Sequence, residues 1–132
     1  MAVMKMKKEE IKLTNSEWLI MECLWQEAPR TLMQLAKAME EKTDWAHSTT
    51  KTMVSRMEAK GYIRYKEGEK AREYDPLLER QTVALHETKT VLNRFFDGKI
   101  SLLLDTWMDS ESLSNHEIEE LSALLNKAKQ LK

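Results

Sequence analysis

The sequence predicts a mainly α-helical protein with one β-hairpin in its middle and a second group of helices behind it. Three observations predict this. Lys, Glu, Leu, Met and Ala dominate the 132 residues, while three glycines and two prolines leave little material for a many-stranded sheet. Apolar residues recur at helical spacing up to Lys60 and again from Glu79 onward. Between those stretches, the period changes to two.

The elements follow in order. Thr14-Asn15-Ser16-Glu17 has the form of a capping box and opens a helix over Asn15 to Glu27, with Trp18, Met21, Leu24 and Trp25 at helical spacing. Thr31 caps a second helix with Leu32, Leu35, Ala36 and Met39 inward. After Lys42-Thr43-Asp44, a third runs from Ala46 to Lys60, with Ala46, Thr50, Met53, Val54 and Met57 as its stripe, and Gly61 ends it. Ile63 and Tyr65 then alternate with charged residues, as in a strand with one buried face. Glu67-Gly68-Glu69-Lys70 reads as the turn, and Arg72-Glu73-Tyr74 returns antiparallel until Pro76 stops it. Three helices and a basic hairpin describe a winged helix-turn-helix, expected over residues 1–77.

Residues 78–132 read as helical throughout. Leu85, Thr88, Leu92 and Phe95 form one stripe, broken at Asp97-Gly98, and Ile100, Leu103, Leu104 and Trp107 form the next. A second capping box, Ser114 to Glu117, opens a last helix carrying Ile118, Leu121, Leu125 and Ala128. Helices of this kind do not bury their apolar faces alone, so they pack on the first domain or on a second copy. The expected dimer contacts are Leu92, Phe95, Leu103 and Trp107, continued by Ile118, Leu121 and Leu125.

The net charge of −1 hides an asymmetry. Lys42 to Arg72 holds eight Lys/Arg against four Asp/Glu, whereas Asp97 to Lys132 holds four against seven. On the third helix Thr49, Thr52 and Arg56 share a face opposite the apolar stripe, flanked by Ser48, Lys51, Ser55 and Lys60. Short hydroxyl side chains allow close approach to a groove, and Arg offers a bidentate fork to guanine or phosphate. An ordinary solvated helix face would look similar. The cations of the hairpin, Arg64, Lys66, Lys70 and Arg72, tilt the reading towards double-stranded DNA.

Other functions find less support. No Ser/His/Asp order, H-E-x-x-H motif or Gly-rich phosphate loop is present, so an enzyme is not expected. A winged helix that binds another protein is the alternative. His47, His86, His116 and Cys23 lack metal-ligand spacing, and neither metal nor cofactor is expected. Trp18, Trp25 and Trp107 read as core, and Trp45 as packing against the start of the third helix. No apolar run suits a membrane span, and Met1–Glu10 lacks the apolar centre of a signal peptide, so a cytoplasmic location is expected.

The chain resembles the penicillinase-repressor family of the BlaI/MecI type. The resemblance rests on Glu17-Trp18, on Trp45-Ala46-His47-Ser48-Thr49-Thr50-Lys51-Thr52-Met53-Val54-Ser55-Arg56-Met57 and on Lys60-Gly61-Tyr62-Ile63. It continues through Lys70 to Pro76 and through Leu113 to Leu121. It implies a homodimeric repressor that binds palindromic operators with half-sites of the TACA/TGTA kind, ahead of antibiotic-resistance or copper-homeostasis genes. Ala46 stands where that family commonly has Ser or Thr, and Thr50 where it has Val or Ile. A copper- or metal-responsive repressor of the same family is a second alternative, although its copper-responsive branch ends in a cysteine cluster, which a chain with Cys23 alone lacks. In the β-lactam-responsive branch a membrane sensor protease leads to cleavage at an Asn-Phe bond. The resemblance puts that bond at Thr106-Trp107, where a protease selective for Asn would not be expected to cut.

Overall fold

The computed structural model describes residues 11–131; the expectation for Met1–Glu10 lies outside them. The elements are α1 (Asn15–Gln26), β1 (Arg30–Thr31), α2 (Leu32–Thr43), α3 (His47–Lys60), β2 (Ile63–Glu67), β3 (Arg72–Pro76), α4 (Arg80–Phe95), α5 (Ile100–Ser110) and α6 (Asn115–Gln130). This is the mainly helical fold with a winged helix-turn-helix that the sequence predicts. Two compact units meet in the chain between Thr88 and Lys89, inside α4.

In the first unit, local chemistry sets the helix starts. The Thr14 hydroxyl accepts from the Glu17 amide at 3.1 Å, and the Glu17 carboxylate accepts from the Thr14 amide at 2.9 Å. Thr31 and Gln34 make the same reciprocal pair at α2. Ala46 has no side chain to do this for α3, whose first turn is closed only by the Ala46 carbonyl. Gly61, at φ 82°, ends α3 in the left-handed region. The core joins Ile20, Met21 and Leu24 of α1 to Leu35 and Met39 of α2 and to Val54 and Met57 of α3. Tyr62, Ile63 and Tyr74 close it from the hairpin. Cys23 packs there too, with the Lys42 ammonium 3.9 Å from its sulfur.

The structure corrects four expectations, three of them in the sheet. The sheet has three strands in the order β1-β3-β2, because Arg30 and Thr31 pair with Tyr74 and Glu73. Two residues carry no readable period, so β1 left no sequence signal. Pro76 does not stop the return strand but is its last residue, opposite Ile63. Tyr65 is exposed although Ile63 is buried, because the outer half of the hairpin extends beyond the helices. Its ring meets Tyr74 at a centroid distance of 6.1 Å instead. Ala46 is exposed and precedes α3, so the buried stripe of that helix is Thr50, Val54 and Met57. At the hairpin tip a Cβ on Gly68 would sit 2.5 Å from the Ala71 carbonyl oxygen, so the turn demands glycine.

The start of α4 is tied to α1. Trp25 donates its indole N–H to the Leu78 carbonyl at 2.9 Å, and the Arg80 guanidinium lies 5.8 and 5.9 Å from the Trp18 and Trp25 rings. Val83 is fully buried. Trp18 and Trp25 are therefore half-buried at the edge of the core, packed edge-to-face on one another.

The second unit is different. Asp97 and Gly98, at φ 53° and 74°, separate α4 from α5. Ser114 and Glu117 form the expected capping box, and the Ser114 amide holds the Glu117 carboxyl below its ordinary value. No residue of α5 or α6 is buried. Trp107, expected as core, is 52% exposed, since this unit offers it no second layer to pack under.

Candidate nucleic-acid interface

The face of α3 opposite its buried stripe presents Ser48, Thr49, Lys51, Thr52, Ser55 and Arg56, all exposed. Among the described residues neither Lys51 nor Arg56 is ion-paired to a carboxylate. The Thr52 hydroxyl donates to the Ser48 carbonyl at 3.0 Å, which leaves its oxygen as an acceptor and its methyl available for contact. Thr50 points inward, and its buried hydroxyl has no hydrogen-bond partner.

Lys60, read as a flanking cation, is committed elsewhere. Its ammonium donates to the Glu17 carboxylate at 2.7 Å, and this bond holds the lysine above its ordinary value. Glu17 is 2% exposed, so α1 carries a buried charge whose partner lies on the last turn of α3. In the wing, Lys70 is exposed in the turn, while Arg72 lies 4.0 Å over the Tyr65 ring, with Glu67 at 3.6 Å. Arg72 is thereby held in one orientation. Arg64 and Lys66 are exposed on β2.

A groove of about 560 Å³ brings Ser48, Lys51 and Ser55 of α3 to Arg72 of the wing. Thr49, Thr52, Arg56 and Lys70 lie outside its lining. Its remaining wall includes Thr31 and Met33 at the start of α2, and His47, none of which the sequence singles out for a site. Met33 falls off the inward stripe of α2 and is 59% exposed, the one signal that could have found it. His47 sits 2.9 Å from the Glu40 carboxylate.

Five of the seven expected dimer residues on the later helices are uncovered. Phe95, Leu103 and Trp107 are exposed, as are Ile118 and Leu125, while Leu92 and Leu121 are half-buried. Thr106 and Trp107 are adjacent and exposed on α5. Among the described residues no cluster of His, Cys, Asp or Glu is arranged to hold a metal ion, and no helix is long and apolar enough to cross a membrane.

Comparison with known proteins bears on both units. The sequence model of the penicillinase repressor family matches residues 13–127. The methicillin resistance regulatory protein MecI of Mammaliicoccus sciuri is 27% identical over 122 residues, covering 92% of this chain and 99% of that protein. The penicillinase repressor of Bacillus licheniformis is 22% identical over 121 residues, covering 92% of this chain and 94% of its own. The solution structure of the DNA-binding domain of the repressor BlaI superposes with a TM-score of 0.50 at 20% identity, over 58% of this chain and 90% of that domain.

Proposed function

Because the chain belongs to the penicillinase repressor family of DNA-binding transcriptional repressors, and is thus a regulator rather than an enzyme, we propose that it acts as a cytoplasmic homodimer on palindromic operators. Residues 1–77 provide the DNA-binding head and residues 78–132 the dimerisation region. The observation that carries this reading is the exposed face of α3, where hydroxyls project beside two cations, Lys51 and Arg56, that have no carboxylate partner among the described residues. Thr49, Thr52 and Arg56 face the base edges, while Ser48, Lys51 and Ser55, with Lys70 and Arg72 of the wing, meet phosphates. Leu92, Phe95, Leu103 and Trp107 join Ile118, Leu121 and Leu125 in the dimer contact. Two linked heads would then reach successive major-groove faces, about one helical turn apart.

The names of the relatives support control of β-lactam-resistance or related genes. Release by a membrane sensor protease would act at Thr106-Trp107, although a pocket built to hydrogen-bond an Asn amide would be left with unpaired polar groups against Thr106. Titration of fluorescent duplexes at several salt concentrations tests the DNA reading. Tight, salt-sensitive binding is expected for a duplex from the promoter that the protein controls. A chain that binds no duplex even at low salt would instead be a protein-interaction module.

A further inference from the structure

The groove between α2, α3 and the wing is more apolar than a phosphate-binding surface requires. Leu32, Ala36, Val54 and Tyr74 form its floor, and Met33 stands at its edge with more than half its surface uncovered. Contact with sugar and phosphate uses donors and cations, not a floor of aliphatic side chains. The volume, about 560 Å³, falls within the range of about 300–1,000 Å³ that accommodates small organic molecules. The rim is basic: Lys51 on α3 and Arg72 on β3 both line it. Lys51 has no carboxylate partner among the described residues, and Arg72 is steadied by the Tyr65 ring 4.0 Å away. The Glu40 carboxylate is paired with His47, and that of Glu67 lies 3.6 Å from Arg72. An apolar floor under cations suits one chemical class above others, a small aromatic carboxylate.

We propose that this groove is an effector site for a small aromatic carboxylate, whose ring lies on Leu32, Ala36 and Met33 and whose carboxylate meets Lys51 and Arg72. The proposal rests on the reading of α3 and the wing as the DNA surface. Ser48, Lys51, Ser55 and Arg72 belong to both sites, so occupancy of the groove and operator binding exclude one another. Binding would then release the repressor without any covalent step.

The test uses the full chain and 1-hydroxy-2-naphthoate as the probe, with binding first measured by calorimetry on DNA-free protein. Saturable binding is expected, with one site per chain. Met33→Ala removes part of the apolar wall at an exposed position and should weaken the naphthoate about tenfold. Operator affinity should be nearly unchanged, because Met33 is outside the proposed DNA contacts. The neutral analogue 2-naphthalenemethanol should bind far more weakly, and sodium acetate at equal concentration should not displace DNA. With naphthoate at ten times its dissociation constant, the apparent operator dissociation constant should rise at least about tenfold, as exclusion requires. Absence of calorimetric binding, equal binding of the alcohol, or an operator affinity unaffected by saturating naphthoate would each overturn the proposal. Failure of the DNA reading would look different: no duplex would bind in the absence of naphthoate, while the calorimetric isotherm would still report on the groove.

Discussion

The two units of this chain use the same residue types to opposite ends. In the first, Ile20, Met21, Leu24, Leu35, Met39, Val54 and Met57 are all at most 1% exposed, and the large apolar side chains left exposed are Met33, Tyr65 and Leu85. In the second, α5 and α6 are just as apolar in pattern but bury no residue, and Phe95, Leu125 and Trp107 are each more than half exposed. The first unit has three helices and a sheet to close around one another. The second has too few layers to do so. Hydrophobic periodicity reports which face an element must cover, but not whether the cover lies in the same chain. The first unit closes a core of its own, and the second leaves its apolar stripes uncovered.

The largest effect should come from breaking that contrast in the second unit. Leu125→Asp places a carboxylate at a 65% exposed apolar position. The isolated chain should tolerate it, while the dimer should dissociate, since an unpaired charge would be buried in the contact. Sedimentation should show a monomer, and operator affinity should fall by about a hundredfold or more as the two heads lose their linkage. Leu121 is a less clean probe because it is half-buried within its own unit, where it lines the space between α5 and α6. A dimer that persists in Leu125→Asp would remove this face from the assembly.

Within the first unit, Lys60→Met should cost about 1–2 kcal/mol in denaturant unfolding, because it leaves the buried Glu17 carboxylate with the Thr14 amide alone, while the half-exposed lysine is partly screened by solvent. The Glu17→Gln/Lys60→Met pair should recover much of that loss. The pair also sets a pH dependence. Lys60 is raised in the folded state by its bond to Glu17, so its contribution is complete below the ordinary lysine value and disappears as pH rises through the folded one. Wild-type stability should therefore fall on the alkaline side more steeply than that of the double variant. Parallel curves would show that the ion pair does not contribute.

Lys51→Ala should weaken all duplexes alike and reduce the salt slope by about one unit, with no change in folding. An unchanged slope would take Lys51 off the phosphates and leave the groove as its role. The smallest effect sharpens the comparison from the inside. Thr50 is fully buried with an unpartnered hydroxyl, so Thr50→Val should stabilise the protein by about 1 kcal/mol. Loss of stability on that change would mean that the hydroxyl is satisfied in solution.

What the sequence made legible was local. Both predicted capping boxes form, because each is closed by residues three apart on one chain segment. Gly61 ends α3 as its conformational freedom dictates. The exposed face of α3 followed from helical geometry alone, and the side chains expected on it are all exposed. The misses are non-local. β1 exists only because Arg30 and Thr31 find Tyr74 and Glu73 more than forty positions away in the chain. The pairing of Lys60 depends on a carboxylate 43 positions earlier, and on a helical wheel it is one more basic residue. Met33 and His47 join the groove because α2 and the wing converge on α3, a meeting that no single segment announces.

Thr31 is at once the last residue of β1 and the cap of α2. Its amide and hydroxyl are bound to Gln34 while its strand pairs with β3, the middle strand that also carries β2. In mechanical terms the wing is a cantilever rather than a flap. Its root is clamped through one residue to the helix that forms the opposite wall of the groove, and only the outer end, around Gly68 and Lys70, is left to bend. A load applied to that tip, whether by a phosphate backbone or by the crowding of a neighbouring molecule, is therefore carried back to the start of α2 and shared between sheet and helix.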